Sequence, residues 1–167
     1  RELDLPDQNM VDGYDEHLLE VLYEQLVDEY NEKIEDGEKD TKKLNSLFVF
    51  DDLAYTGCMK ANGKGDLLAK IFMNGRKYLI SCIVISQKYS SVGTILRENA
   101  SGLILSRCSN KQLELIEADH NYLESKKQFM QLYKKTTNVP YSKFIINFSH
   151  PQLYQNQDYE DLVDKLV

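Results

Sequence analysis

The sequence predicts an α/β fold built on a mainly parallel sheet flanked by helices. Three observations carry this expectation. Short apolar runs alternate with helical patterns along most of the chain, as in βαβ units. One run, LISCIVIS at residues 79–86, is apolar almost throughout, which suits a strand covered on both faces. Another, LFVF at residues 47–50, is followed at once by Asp51 and Asp52. In open α/β sheets ligands gather beyond the carboxyl ends of the strands.

The elements follow in order. Residues 1–14, with Pro6 and Gly13, read as an irregular lead-in. A helix follows from about Asp15. Leu19, Leu22, Leu26 and Tyr30 recur at three- and four-residue steps, with Val27 and Ile34 beside them. Glu16, Glu20, Glu24 and Asp28 form the opposite face, and Asp12 or Asp15 can cap the start. Residues 35–43 have little apolar content and read as a loop. After the first strand, residues 65–78 give a helix with Leu68, Ile71 and Phe72 on one face. The second strand is residues 79–86. A helical turn at 94–99, a third strand at 101–107 and helices at 110–119 and 125–137 come next, with a fourth strand at 141–148. Residues 15–157 therefore read as one core, and 158–167 as a terminal helix with Leu162, Val163 and Leu166 apolar.

Composition bounds the function. With 167 residues, 42% of them hydrophobic, the chain can bury the core of one domain. No run approaches the roughly 20 apolar residues of a membrane span. Cys58, Cys82 and Cys108 stand far apart without CxxC spacing, so reduced thiols are expected rather than disulfides or zinc. His17, His120 and His150 are equally scattered and read as surface or core residues. The net charge of −7 is uneven: −12 over residues 1–40, +8 over 41–157 and −3 over the last ten. A basic middle can face a polyanion, or be an ordinary solvated surface.

Residues 47–66 resemble a nucleotide loop only superficially. A P-loop requires GxxxxGK[ST]. Here Gly57 and Gly63 are separated by five residues, and Gly65 follows Lys64 where a hydroxyl is needed for Mg²⁺. The stretch fits the other half of an ATP site, a Walker B strand, in which a buried strand presents a rigid carboxylate to Mg²⁺ or its water. A following acid can orient or deprotonate the attacking water. The next strand ends in Ser86 and Gln87. A neutral amide there can sense a γ-phosphate or hold the water without opposing charge. Arg76, at the end of the intervening helix, can act as a finger on transition-state charge, often in a neighbouring subunit. Blander roles remain open: the acids can cap a turn, Gln87 can be a satisfied amide, and Arg76 can cap its helix.

The ordered set FVFDD, NGRKYLIS, IVISQKY and ILRENASGLIL resembles the FtsK/HerA-type packaging ATPases of large DNA viruses, the poxvirus-like and giant-virus group. The match runs over about residues 47–115. It implies a RecA-like P-loop ATPase core that binds ATP and Mg²⁺, forms a homo-oligomeric ring, a hexamer or pentamer, and drives double-stranded DNA into a capsid at its portal vertex. By position Asp51 corresponds to the Walker B metal acid, holding Mg²⁺ through water. Asp52 stands where many relatives carry a catalytic glutamate. Gln87 corresponds to the sensor amide, and Arg76, then Arg97, to candidate trans-acting fingers. Lys60, Lys64 and Lys88 can face DNA in a ring pore, or be ordinary exposed lysines. The setting implied is the virion or the cytoplasmic factory of an infected cell. The sequence holds no Walker A motif, and the expectation is that this portion lies upstream of Arg1. Other readings are a cellular or mobile-element translocase or helicase of the same type, and an inactive structural relative.

Overall fold

The computed structural model describes residues 6–37, 44–53, 56–60, 66–148 and 151–163. Contacts divide the chain into two compact units. The first is Arg1–Gln87 with Ser91–Asn99, and the second is Lys88–Ser90 with Ala100–Val167. Residues 15–157, expected as one core, are shared between them.

The first unit opens with α1, Glu16–Glu35, capped by Asp15, whose carboxylate accepts from the Leu18 N–H at 3.0 Å. Its buried line is Leu19 and Tyr23, with Leu26 and Val27 beside them. Leu22 and Ile34, expected in the core, are exposed, because the helix turns on the Leu19–Tyr23 step and carries Leu22 round to the solvent side. Strand β1, Ser46–Asp51, pairs in parallel with β2, Ile80–Ile85. Between them run α2, Leu67–Asn74, capped by Asp66, and a 3-10 turn, Gly75–Tyr78. Leu68, Ala69 and Ile71 of α2 are completely enclosed, and Phe50 and Ile80 lie in the same cluster. The other face of the β1–β2 pair is open: Leu47, Val49, Ile83 and Ile85 are 55%, 54%, 47% and 49% exposed. The apolar character of residues 79–86 therefore marks burial on one face, not on both.

A short helix α3, Thr94–Glu98, completes this unit. Just before it, the Gly93 N–H donates to the Met59 carbonyl at 2.7 Å. This bond joins the loop after β1 to the loop after β2. The approach is so close that a Cβ on Gly93 would lie 1.9 Å from the Lys60 carbonyl oxygen.

The second unit holds β3, Gly102–Leu105, α4, Asn110–His120, α5, Lys126–Thr136, β4, Phe144–Asn147, and β5, Leu153–Asn156. Its sheet has the order β3-β4-β5 and is antiparallel throughout. Among the described residues, the parallel pairing expected from the sequence is confined to β1 and β2. Phe129, Phe144 and Tyr154 form the centre, with Phe129 edge-on to both of the others. The expected helix over 158–167 is not seen in its described part. Asn156 Oδ1 instead accepts from the Asp158 and Glu160 N–H groups, an Asx-type turn, and Asp161 bridges back to Gln155. Strand β5 lies between the expected fourth strand and the expected terminal helix.

Gly93→Ala is expected to destabilise the chain by about 1–3 kcal/mol, since backbone rather than a flexible side chain must give way; equilibrium denaturation of the variant measures this. Stability is also expected to fall in alkali. Burial pushes the Cys82 thiol from its ordinary 9.0 up to about 11, and the Tyr14 and Tyr133 phenols from 10.0 up to about 12. The folded chain thus holds protons that the unfolded chain releases above pH 9–10. The stabilisation is complete below that range and is lost as pH rises toward 11–12. Chemical denaturation at pH 8 and at pH 11 tests the sign.

Candidate nucleotide-hydrolysis site

Residue pairing across the parallel strands runs in step from Ser46↔Ile80 to Asp51↔Ile85. Both strands then leave the sheet at the same end, so Asp52 and Gln87 emerge side by side. The Asp52 N–H donates to the Ile85 carbonyl at 3.2 Å, one further rung of the ladder. The Gln87 amide Nε2 donates to both carboxylate oxygens of Asp52, at 3.3 Å each. These bonds are long and the groups exposed, so the contact orients the carboxylate more than it stabilises the fold.

Asp52 has a φ of +49°. Asp and Asn adopt this left-handed region more readily than longer side chains, because a short polar side chain can bond locally. The turn aims the Asp52 side chain at β2, whereas Asp51 belongs to the strand and continues the open face of Leu47 and Val49 by alternation. The two acids thus leave the strand end in different directions. Downstream, the Thr56 hydroxyl donates to the Leu53 carbonyl at 2.7 Å, and Leu53 and Met59 are buried. The described part of the loop after the acids is therefore anchored.

The segment after Gln87 is also fixed. In the first unit the Ser86 and Ser91 hydroxyls are 2.8 Å apart. In the second, the Tyr89 hydroxyl donates to Asp119 Oδ2 at 2.7 Å and lies 2.7 Å from His120 Nε2. One hydroxyl serves both by donating to the carboxylate and accepting from the imidazole. The His120 ring stacks on Phe148 at 4.8 Å. Neither Gly93 nor Tyr89 was singled out in the sequence. Gly93 had a signal, a glycine just before a helix start; the Tyr89 partners, about 30 residues away, had none.

The other candidates are dispersed. Arg76 is exposed in the turn that leads into β2. Its backbone carbonyl accepts from Leu79, and the Leu79 carbonyl in turn accepts from Ser46 at the start of the pair. A six-residue strand, roughly 17–20 Å, separates this end from Asp52. Arg97 is half-buried, and its Nη2 donates to the Thr94 hydroxyl one turn back on α3. Lys60 is exposed at the end of the anchored loop and Lys88 is exposed directly after Gln87. Lys64 lies outside the described residues.

Among the described residues no three His, Cys, Asp or Glu side chains converge as a metal cage. Mg²⁺ is ordinarily held by one or two carboxylates, with phosphate and water supplying the rest. Asp51, at the strand end, and Asp52, on the turn beyond it, are the two carboxylates at this edge. The phosphate cradle is a different matter, for the sequence contains no GxxxxGK[ST]. The strand ends bring together an acid and an amide, Asp52 and Gln87.

The poxvirus A32 protein family model matches residues 9–163. The chain belongs to the poxvirus A32 protein family. This agrees with its resemblance to viral genome-packaging ATPases of FtsK/HerA type. No curated protein matches the chain. Its fold is shared by solved structures, two of which follow. One is B204, the DNA-packaging ATPase of Sulfolobus Turreted Icosahedral Virus, at a TM-score of 0.54 and 19% identity, over 86% of this chain and 63% of that one. The other is the genome-packaging NTPase B204 of Sulfolobus turreted icosahedral virus 2, in complex with AMP, at 0.54 and 15%, over 91% and 65%. The chain thus spans less than two thirds of the length of either.

The left-handed turn predicts an asymmetry between substitutions. Asp52→Asn is expected to unfold at nearly the same temperature as the parent. Asp52→Glu should be less stable by about 1 kcal/mol, the cost of a longer side chain at positive φ. Equal melting temperatures for the two variants would argue against strain at this position.

Proposed function

We propose that this chain is the Walker B and sensor part of an ATP-driven motor that moves double-stranded DNA into a viral capsid. The observation that carries the reading is the Asp52–Gln87 contact at the carboxyl ends of two adjacent parallel strands. Family membership supports the packaging ATPase assignment. The assembly would be a homo-oligomeric ring of five or six copies at the portal vertex. The setting would be the virion or the infected-cell cytoplasm; no helix among the described residues is long and apolar enough to cross a membrane.

Each residue has a role in this reading. Asp51 would hold Mg²⁺ through a water molecule. ATP and Mg²⁺, when bound with the Walker A portion that such a site needs, supply a polarised terminal phosphoryl group. Asp52 accepts the proton of the attacking water, and its orientation is fixed by the Gln87 amide. Gln87 can exchange its Asp52 bond for one to the water or to a phosphate oxygen, without introducing charge. Arg76, at the far end of β2, cannot reach the acids of its own chain. It fits a finger offered to the site of a neighbouring copy. Arg97, bonded back onto its own helix, is the weaker candidate. Lys60, Lys64 and Lys88 would meet the phosphate backbone, a contact that needs positive charge and reads no sequence.

In a protein that carries both this chain and a Walker A motif, Asp52→Asn should leave ATP binding within about twofold and lower turnover by about 100-fold or more. Normal turnover rejects the proton-acceptor role. Rings mixed from Asp52→Asn and Arg76→Ala copies should recover part of the activity that each lacks alone, because intact sites form where the two kinds meet. No recovery in rings shown to be mixed rejects the shared site.

A further inference from the structure

The strongest uncommitted surfaces carry opposite charge, one on each unit. On the first, α1 turns a second face to solvent. Leu18, Val21 and Leu22 are exposed, and with Gln25, Asp28, Glu29 and Glu32 they occupy one side of the helix at three- and four-residue steps. This side is apolar in its first half and acidic in its second. Between Glu16 and Glu35 the helix carries seven acids and one lysine. Such an amphipathic stripe, on the side away from the core line, needs a partner that is apolar and basic.

The second unit offers that chemistry. An open groove of about 820 Å³ runs between α5 and the turn after β5. Val139 contributes exposed apolar surface above the buried Leu132 and Leu162, and Lys134, Lys135 and Lys143 contribute charge, with Asp158 the one acid among the described lining residues. Val139 is 66% exposed. Lys143 Nζ donates to the Ser106 hydroxyl, which fixes its position and leaves its charge uncompensated by that contact. A nucleic-acid backbone matches this lining less well, for it has no use for the apolar floor and is repelled by Asp158.

We propose that this groove receives helix α1 of a second copy of the chain. The reading rests on the ring assembly proposed above, and names the contact that builds it. The apolar first half of α1 covers Val139 at the groove, while Glu29 and Glu32 meet the lysines. Donor and receptor are different surfaces, so the contact is head-to-tail. Repeated, it closes a ring when the rotation per copy divides a full turn. Its charge component makes association weaken as salt rises.

The test is sedimentation of the full-length protein over a range of concentration and salt. Variants are Lys134→Glu with Lys135→Glu, and Glu29→Lys with Glu32→Lys. Each pair should weaken self-association by about tenfold or more. Mixing the two variants should restore association, because the acidic groove of one then faces the basic helix of the other. Their melting temperatures report whether either has simply failed to fold, and restoration on mixing excludes that independently. Wild-type protein that stays monomeric overturns both the ring and this contact. Wild-type association that the charge variants leave unchanged overturns this contact alone. So does association that strengthens with salt, which would point to the open face of β1 and β2. So does a groove variant that loses binding to a DNA duplex but keeps full self-association.

Discussion

The register between β1 and β2 governs the rest of the first unit. Six consecutive residue pairs keep two strands in step, and both leave the sheet at the same height. Only that alignment lets a carboxylate and an amide 35 residues apart meet at 3.3 Å. A slip of one residue would turn the Asp51 side chain to the opposite face and withdraw Gln87 from Asp52. The register is protected by what lies beneath it. Phe48, Phe50, Ile80 and Cys82 alternate onto the side covered by α2, whose central residues have no solvent contact. The core thus acts at a distance on the site, by forbidding the alternative pairing.

A second constraint is the economy of the loops that follow the strands. The loop after β1 and the loop after β2 are brought together where Gly93 has no side chain to keep them apart. Asp52 accepts an unusual backbone angle at the same end. A short acid suits that angle, because Asp enters the left-handed region more readily than longer side chains. The Asp52 carboxylate is consequently directed by main-chain geometry and by one amide, both of which the fold determines.

The parallel pair and the helix between them were legible because each has a simple period. LFVF and LISCIVIS end in polar residues where the strands end, and Leu68 and Ile71 mark the buried side of α2. The meeting of Asp52 and Gln87 was legible as well, since each follows the apolar run of its strand. What could not be read was set by partners distant in sequence. Leu22 and Ile34 fit a helical stripe, but Tyr23 occupies the core in their place. Residues 158–163 look helical by composition, yet Asn156 binds two of their backbone N–H groups and turns them back toward β5. The antiparallel sheet also escaped notice, since Phe144–Asn147 is buried on both faces and reads like any parallel strand. Arg76 was correctly located at a helix end. Its separation from the acids needed the direction of β2.

The uncovered side of the β1–β2 pair affects how this protein must be handled at the bench. Four aliphatic groups in neighbouring rows make a greasy plate on a fully folded unit. Fluorescent probes that light up on such plates are commonly taken to report a loosened, partly melted state. For this chain the same glow would come from the native protein. Compactness therefore has to be judged by near-ultraviolet dichroism or by a cooperative melt, and detergent carried over from purification will compete for the plate.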